Sequence, residues 1–134
     1  MLRKLRSRFP DAVIITNRGF ETMDKVHSLI DAVAFESLFS KYDVAKDSYD
    51  NVPLEDTKWL LETVNNIKNK YELPIIAIDY IDSPFHDQRN VIAEKIIQQG
   101  LIPWVADGHL KTLGRGTQKP VSRTIVGLYD HPNG

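Results

Sequence analysis

The sequence predicts an α/β fold built around a parallel β-sheet, and two patterns carry that prediction. Short apolar runs alternate along the chain with segments in which apolar residues recur every three or four positions. The first pattern is typical of buried strands and the second of amphipathic helices, and their alternation indicates βαβ units. The chain has 134 residues, 42% of them hydrophobic and 26% charged, which suits one globular domain with a single core.

The first half of the chain predicts a basic helix, two strands and a long loop. Residues 2–8 (LRKLRSR) carry the charge pattern of an exposed helix face. The first strand is expected at about 12–17, followed by a short helix in the segment ETMDKVHSLI. The second strand is DAVAFES at 31–37, and the polar segment 41–52 predicts a long loop.

The second half of the chain contains the clearest helix and two further strands. Pro53 opens this helix, in which apolar residues recur at three- and four-residue spacing. The runs 75–80 and 101–107 predict strands that are apolar on both faces, as in a covered parallel sheet. A helix ending at Gly100 lies between them, and Trp104, inside the second run, is expected to lie in the core.

Polar side chains stand at the carboxyl ends of the predicted strands. They are Asn17, Arg18, Glu36, Ser37, Asp79, Tyr80 and Asp107. In open parallel sheets and in (β/α)8 barrels the ligand site lies outside those ends. Neighbouring strands are about 4.8 Å apart, so carboxylates there can reach the ~5–10 Å separation of glycoside hydrolase acid pairs. The strand ends therefore predict one shared site, although any single aspartate there can instead cap a helix or form an Asx turn.

Glu36 is the strand-end residue that a capping role explains least well. Glutamate is a poor capping residue, and Glu36 directly follows the apolar residues Val33, Ala34 and Phe35. We expect it at a partly desolvated strand end. Burial favours the protonated form of a carboxyl group, as a general acid working near neutral pH requires.

Composition excludes several classes of function. The chain has no cysteine, and no spacing of histidines and acids resembles a zinc site. The segment GHLKTLGRG lacks the phosphate-loop pattern, so neither a metal nor another cofactor is predicted. A net charge of −1 gives no sign of a nucleic-acid partner. No apolar run reaches the length of a membrane span, and the first thirty residues lack a signal-peptide core.

Four spaced motifs resemble the glycoside hydrolases of the endo-α-1,4-polygalactosaminidase type. They are FPDAVIITNRGFE, IDAVAFESLF, LPIIAIDY and LIPWVADG, in the order of that family, and the similarity runs from about Arg8 to Gly114. Within the family, the hydrolase domains that process the Pel exopolysaccharide are the most similar. The resemblance implies a (β/α)8 barrel that cleaves α-1,4-linked, partly deacetylated galactosamine polymers.

The resemblance also implies roles for the strand-end residues. Glu36, in the ES motif, corresponds to the family's essential glutamate and is the expected acid/base. The other strand-end residues fall on substrate-binding positions of the cleft: Asn17, Arg18, Ser37, Asp79, Tyr80 and Asp107. A galactosamine unit with a free amine is cationic, and a cleft lined by carboxylates would attract it.

The chain is shorter than the barrel that the resemblance implies. A complete barrel has about 250 residues, whereas here about four βα units are predicted, matching strands five to eight. We therefore expect residues 1–114 to form the C-terminal half of the barrel. Residues 115–134 would be a linker and the start of a following region, with a strand-like run at 123–130. The second catalytic carboxylate would lie upstream of Met1.

A fragment of this kind needs a partner for its open sheet. We expect the rest of the barrel to come from the same parent chain or from a second copy, since an uncovered half barrel should dimerise or aggregate. The parent protein is expected in the periplasm or outside the cell. Whether the isolated chain is active stays open at this point.

Two other functions fit the same sequence. A non-catalytic module for carbohydrate binding or polysaccharide assembly would bind the cationic polymer without releasing product. A flavodoxin-like domain would use the strand-end acids for Mg²⁺ or for regulation, and would be a monomer stabilised by Mg²⁺. The absence of a glycine-rich first turn counts against nucleotide binding in that last case.

Overall fold

The protein is described by a computed structural model that covers residues 1–82, 86–109 and 125–130, with the backbone alone for His86 and for 125–130. The helices in these residues are α1 (Leu2–Arg8), α2 (Met23–Val26), α3 (Leu54–Tyr71) and α4 (His86–Gln98). The strands are β1 (Val13–Asn17), β2 (Ala32–Glu36), β3 (Ser40–Asp43), β4 (Ser48–Asn51), β5 (Ile75–Tyr80), β6 (Ile102–Ala106) and β7 (Ile125–Asp130). The predicted α/β alternation is confirmed, as are the helices and strands expected along the chain.

One parallel sheet organises the described part of the chain. Its strands lie in the order β6-β5-β2-β1-β7, and every neighbouring pair is parallel. The predicted strand at 123–130 is present as β7, which pairs with β1. Because β1, β2, β5 and β6 are parallel neighbours in this sheet, their carboxyl ends lie along one edge. The linker expected from residue 115 lies largely outside the described residues, and the domain division there stays a prediction.

The two faces of the sheet have different neighbours. The helix-packed face buries Ile14, Phe35 and Val105 against residues of α3 and α4 such as Val64 and Ile96. The opposite face carries a smaller cluster formed by strand residues: Val13, Ile15, Ala32, Ala34, Ile76 and Ile78. Strand registers place these side chains together, since Ile15 pairs with Ala32, and Ala34 with Ile76.

Trp104 corrects one expectation about the core. Its position inside β6 predicted burial, but its side chain is 42% exposed, and that of Ile102 is 38% exposed. Both lie on the opposite face, because Ile102 pairs with Ile76 and Trp104 with Ile78. The apolar sequence of β6 therefore marks a surface that the described helices leave open.

The predicted loop at 41–52 is instead a β-hairpin. Strands β3 and β4 pair antiparallel, with Tyr42 opposite Tyr49. At the turn, the Asp43 carboxylate accepts hydrogen bonds from the backbone N–H groups of Ala45 and Lys46 at 3.0 and 3.3 Å. Polar strands of four residues carry no apolar alternation, so sequence patterns did not reveal them.

The end of α3 provides a test of backbone strain. Glu72, the residue after α3, is exposed and has a left-handed backbone with φ of 56°. We expect Glu72→Gly to stabilise the protein by about 0.5–1 kcal/mol, since glycine adopts this conformation without strain. Glu62→Gly, inside the same helix, should destabilise it by about 1 kcal/mol. Urea unfolding measures both, and destabilisation by Glu72→Gly would contradict the expectation.

Candidate active site

Glu36 lies at the carboxyl end of β2 on the opposite face of the sheet. The hydroxyl of Tyr80, the last residue of β5, donates a hydrogen bond of 2.8 Å to Glu36 Oε1. The two side chains meet because Glu36 pairs with Ile78, two residues before Tyr80 and on the same face of β5. The expectation that Glu36 is partly desolvated is wrong, because its side chain is exposed.

The environment of Tyr80 keeps its hydroxyl protonated. Partial burial, and then the hydrogen bond to Glu36, raise the pKa of Tyr80 above its usual value of 10.0. At neutral pH the Tyr80 hydroxyl is therefore uncharged and donates its hydrogen bond to Glu36. One carboxylate oxygen is held in this way, which fixes the direction in which the carboxyl group points.

Glu36 opens into a cleft of about 470 Å³. The cleft is lined by Arg18, Glu36, Ser37, Lys41, Val52, Pro53, Asp56, Trp59 and Leu60. Trp59, on α3, is 56% exposed. An exposed tryptophan beside a carboxylate presents an apolar face of the kind that stacks on sugar rings. Sequence reasoning missed Trp59. Its position in the first two turns of the clearest helix was the signal in the sequence that could have indicated it.

Arg18 and Asn17 come from the end of β1. Arg18 has a left-handed backbone with φ of 59°, and its Nη2 donates a hydrogen bond of 2.8 Å to the carbonyl oxygen of Glu36. Its guanidinium carbon lies 5.8 Å from the centre of the Phe20 ring. Asn17 is half-buried and pairs with Ala34 of β2. The structure therefore brings Arg18, Glu36, Ser37 and Tyr80 together around one strand end.

Asp79 faces the other way. Its side chain is fully buried on the helix-packed face, and its carboxylate accepts hydrogen bonds from the backbone N–H groups of Leu38, Phe39 and Ser40 at 2.6, 2.8 and 3.0 Å. Burial raises the pKa of Asp79, and the three N–H donors act in the opposite direction. Asp79 is not among the residues that line the Glu36 cleft, and its predicted contact with substrate stays a prediction.

Asp107 is also buried, with 2% of its surface exposed. Its Oδ2 lies 3.6 Å from Nη2 of Arg89, which belongs to α4 and is itself 3% exposed. A buried aspartate beside a buried arginine links the end of β6 to α4. Asp107 does not line the Glu36 cleft either, and its predicted contact with substrate stays a prediction.

The β3–β4 hairpin is fastened to the loop after β6. The Tyr42 hydroxyl donates to Asp47 at 2.7 Å, and His109 Nε2 lies 2.8 Å from the same carboxylate oxygen. The backbone N–H of Gly108 donates to the Tyr49 hydroxyl at 2.9 Å. The hydrogen bond to Asp47 is the main cause that raises the pKa of Tyr42 to about 12, so this hydroxyl stays protonated. These hydrogen bonds join the hairpin to the segment that follows β6.

Two solved structures are similar to this chain. The glycoside hydrolase domain of PelA from Pseudomonas aeruginosa is 31% identical, with a TM-score of 0.77 over 85% of this chain. A variant of the same domain, in which one glutamate is replaced by alanine, is 30% identical with the same TM-score and coverage. The chain resembles part of a PelA-type glycoside hydrolase domain. It spans 45% of the PelA domain, and no protein-family model or curated protein matches it.

Two further findings concern the described residues. They contain no group of three or more histidine, aspartate or glutamate side chains arranged to hold a metal ion. None of the helices in this part of the chain has both the length and the apolar character needed to cross a membrane.

Gly108 allows a test of the hairpin contact. A Cβ atom at this position would overlap the Tyr42 ring, so we expect Gly108→Ala to destabilise the protein by about 1–3 kcal/mol. In a Tyr42→Ala background, the same change should be nearly neutral because the obstructing ring is gone. Thermal or urea unfolding of the single and double variants measures this coupling. Equal effects in the two backgrounds would mean that the two residues do not touch.

Proposed function

We propose that this chain is the half of an endo-acting glycoside hydrolase that carries the acid/base residue, Glu36. Its substrate would be an α-1,4-linked polymer of galactosamine and N-acetylgalactosamine. One observation carries the proposal: the Glu36 carboxyl group is exposed in a cleft at the carboxyl ends of parallel strands, in a chain similar to a glycoside hydrolase domain. Sites of (β/α)8 enzymes lie at these strand ends.

The geometry around Glu36 supports proton donation. The Tyr80 hydroxyl holds Oε1 at 2.8 Å, so the other oxygen is the one left to carry the proton toward the glycosidic oxygen. Departure of the protonated leaving group passes through a transition state resembling an oxocarbenium ion. In an inverting mechanism the second carboxylate would take a proton from the water that attacks the opposite side of the sugar. In a retaining mechanism that carboxylate would bond to the sugar as the leaving group departs, and ionised Glu36 would then take a proton from the water that breaks this bond.

Substrate recognition would use the wall of the cleft. The exposed face of Trp59 offers a stacking surface for a sugar ring, and the carboxylate of Asp56 stands beside it in the cleft lining. Carboxylates attract the ammonium group of a deacetylated galactosamine unit. The same lining holds Arg18 and Lys41, so a preference for a cationic polysaccharide would rest on direct pairing of its ammonium groups with Asp56 or Glu36 and not on the net charge of the cleft.

The second carboxylate of the reaction would come from outside this chain. Glycoside hydrolysis of this kind uses two carboxyl groups, and the carboxylates of Asp79 and Asp107 are buried and bound to other groups. We infer that the rest of the barrel, from the same parent chain or from a second copy, covers the open face at Ile102 and Trp104 and supplies it. The periplasm or the cell exterior is the proposed location.

The first test is on the protein as its own cells produce it. Its intact mass is compared with 15.3 kDa, and the protein is then incubated with partly deacetylated α-1,4-galactosamine polymer. We expect a larger mass, and new reducing ends that appear early as oligosaccharides of mixed length. If no reducing ends form, although the folded protein binds the polymer, the hydrolase proposal is wrong.

A non-catalytic carbohydrate-binding module is the second candidate. The observation that favours it concerns the lining of the cleft. Glu36 and the exposed Trp59 line the cleft, whereas the buried Asp79 and Asp107 do not. This function predicts saturable binding of the cationic polymer that Glu36→Gln leaves unchanged. It also predicts that no product forms in any preparation of the protein.

A further inference from the structure

The dipeptide Asp79–Tyr80 at the end of β5 contacts both Glu36 and the turn that follows Glu36. Successive residues of a strand point to opposite faces, so Asp79 lies on the helix-packed face and Tyr80 on the face that carries Glu36. Tyr80 holds the carboxylate of Glu36 at 2.8 Å. Asp79 holds the backbone that follows Glu36, through the N–H groups of residues 38–40.

The turn at residues 38–40 is held by the carboxyl oxygens of Asp79. Three consecutive N–H groups converge, at 2.6–3.0 Å, on the two oxygens of the Asp79 carboxylate, which has no solvent exposure. An ionised carboxylate offers acceptors and no donor, whereas the amide of asparagine would direct an N–H₂ group at some of these donors. Buried donors without an acceptor are costly, so the turn would rearrange.

The same turn is fixed on two further sides. The Thr57 hydroxyl of α3 donates to the Leu38 carbonyl at 2.7 Å. The Ser40 hydroxyl donates to the carbonyl oxygen of Tyr80 at 2.5 Å, which ties the turn back to the residue that holds Glu36. Leu38 is two residues from Glu36 along the chain, so a shift of the turn moves both the backbone of Glu36 and its hydrogen-bond donor.

We propose that Asp79 is a positioning residue, whose buried carboxylate orients Glu36 through the 38–40 turn and through Tyr80. In this inference the positioning role replaces the predicted contact of Asp79 with substrate, and Asp79 takes no part in the chemistry. This role rests on the proposed function in so far as the orientation of Glu36 matters for hydrolysis. The orientation itself can be measured without any activity.

The spectroscopic test uses the chain labelled with ¹³C at the glutamate carboxyl carbons. The signal of Glu36 is assigned by its loss in Glu36→Gln. We expect Asp79→Asn and Tyr80→Phe each to move this signal by more than its linewidth. Ile67→Ala removes a buried side chain of α3 that lies outside the turn, and although it is destabilising it should leave the Glu36 signal in place.

The kinetic test uses the complete hydrolase. Asp79→Asn should lower kcat by about 100-fold, the cost of a displacement of roughly 1 Å at a reacting group, with KM within about twofold of wild type because the substrate contacts remain. Ile67→Ala should leave both constants near wild type at a temperature where it stays folded. A folded Asp79→Asn variant with an unmoved Glu36 signal overturns the proposal, as does a rise in KM at constant kcat.

Two further variants cover the case in which Asp79→Asn does not fold. Ser40→Ala removes the hydroxyl that ties the turn to Tyr80 and leaves every contact of Asp79 in place. Because Ser40→Ala keeps the contacts of Asp79, it serves as the control, and its Glu36 signal should stay near the wild-type position. Asp79→Glu keeps a carboxylate but displaces its oxygens by one methylene from the three N–H groups, so its Glu36 signal should move, and an unmoved signal overturns the proposal. If the wild-type enzyme releases no product, the proposed function fails, while the carbon spectra still decide whether Asp79 orients Glu36.

Discussion

Glu36→Gln is expected to lower kcat of the complete hydrolase by about 10²- to 10⁴-fold, the usual contribution of a general acid. Glutamine keeps the shape of the side chain and can still accept the Tyr80 hydrogen bond seen at 2.8 Å, but it has no proton to give. Binding of the polymer should change little. Reducing-end release measures the rate, and equilibrium binding of the polymer measures the affinity.

The same variant can separate proton donation from a merely structural role. On an aryl glycoside with an acidic phenol, the leaving group departs without protonation. Glu36→Gln should therefore lower the rate of bond cleavage less on this substrate than on the polymer. Glu94→Gln, an identical change at an exposed position of α4, should leave both substrates unaffected. Retention of the wild-type rate on the polymer by folded Glu36→Gln would exclude Glu36 as the acid.

Phe35→Ala is expected to have the largest effect on stability. Phe35 is fully buried in the helix-packed face, and its ring packs edge-to-face against Phe20 with 6.2 Å between ring centres. Removing a buried phenylalanine side chain costs about 3–5 kcal/mol, through lost apolar burial and the cavity that remains. Because a domain of this size is stable by only about 5–15 kcal/mol, a large part of its stability would be lost.

A matched substitution shows whether this loss comes from the core. Phe9, after α1, is 41% exposed. Phe9→Ala should therefore lower the free energy of unfolding by only about 1 kcal/mol or less. The midpoints of urea unfolding of the two variants give the comparison. Similar losses for both would mean that Phe35 does not occupy the centre of the core.

The polar residues at the strand ends show how far sequence alone located the site. The change from apolar to polar residues marked the ends of β1, β2, β5 and β6, and the parallel sheet brings those ends to one edge. The structure has Glu36 at the end of β2, hydrogen-bonded to Arg18 and Tyr80. The exposure of its side chain was not predicted, because exposure depends on what covers the strand end and not on the residues that precede it.

Tertiary structure decided which of these residues share a side of the sheet. Asp79 and Tyr80 are adjacent in sequence, yet one is buried beneath the turn at residues 38–40 and the other donates to Glu36. In a strand that is apolar on both faces, apolar and polar residues do not alternate, so the sequence does not distinguish its two faces. Register with β2 and packing of the helices supply that information, and neither can be read from the strand itself.

The sequence by itself determined the alternation of strands and helices, since apolar periodicity depends on local spacing. It also determined which strand ends are polar. Tertiary structure alone formed the β3–β4 hairpin, whose Tyr42 and Tyr49 face each other across strands without apolar alternation. It likewise brought Trp59 from α3 into the cleft of Glu36. Contacts between residues distant in sequence decide both features, because they depend on how the chain packs rather than on any local pattern.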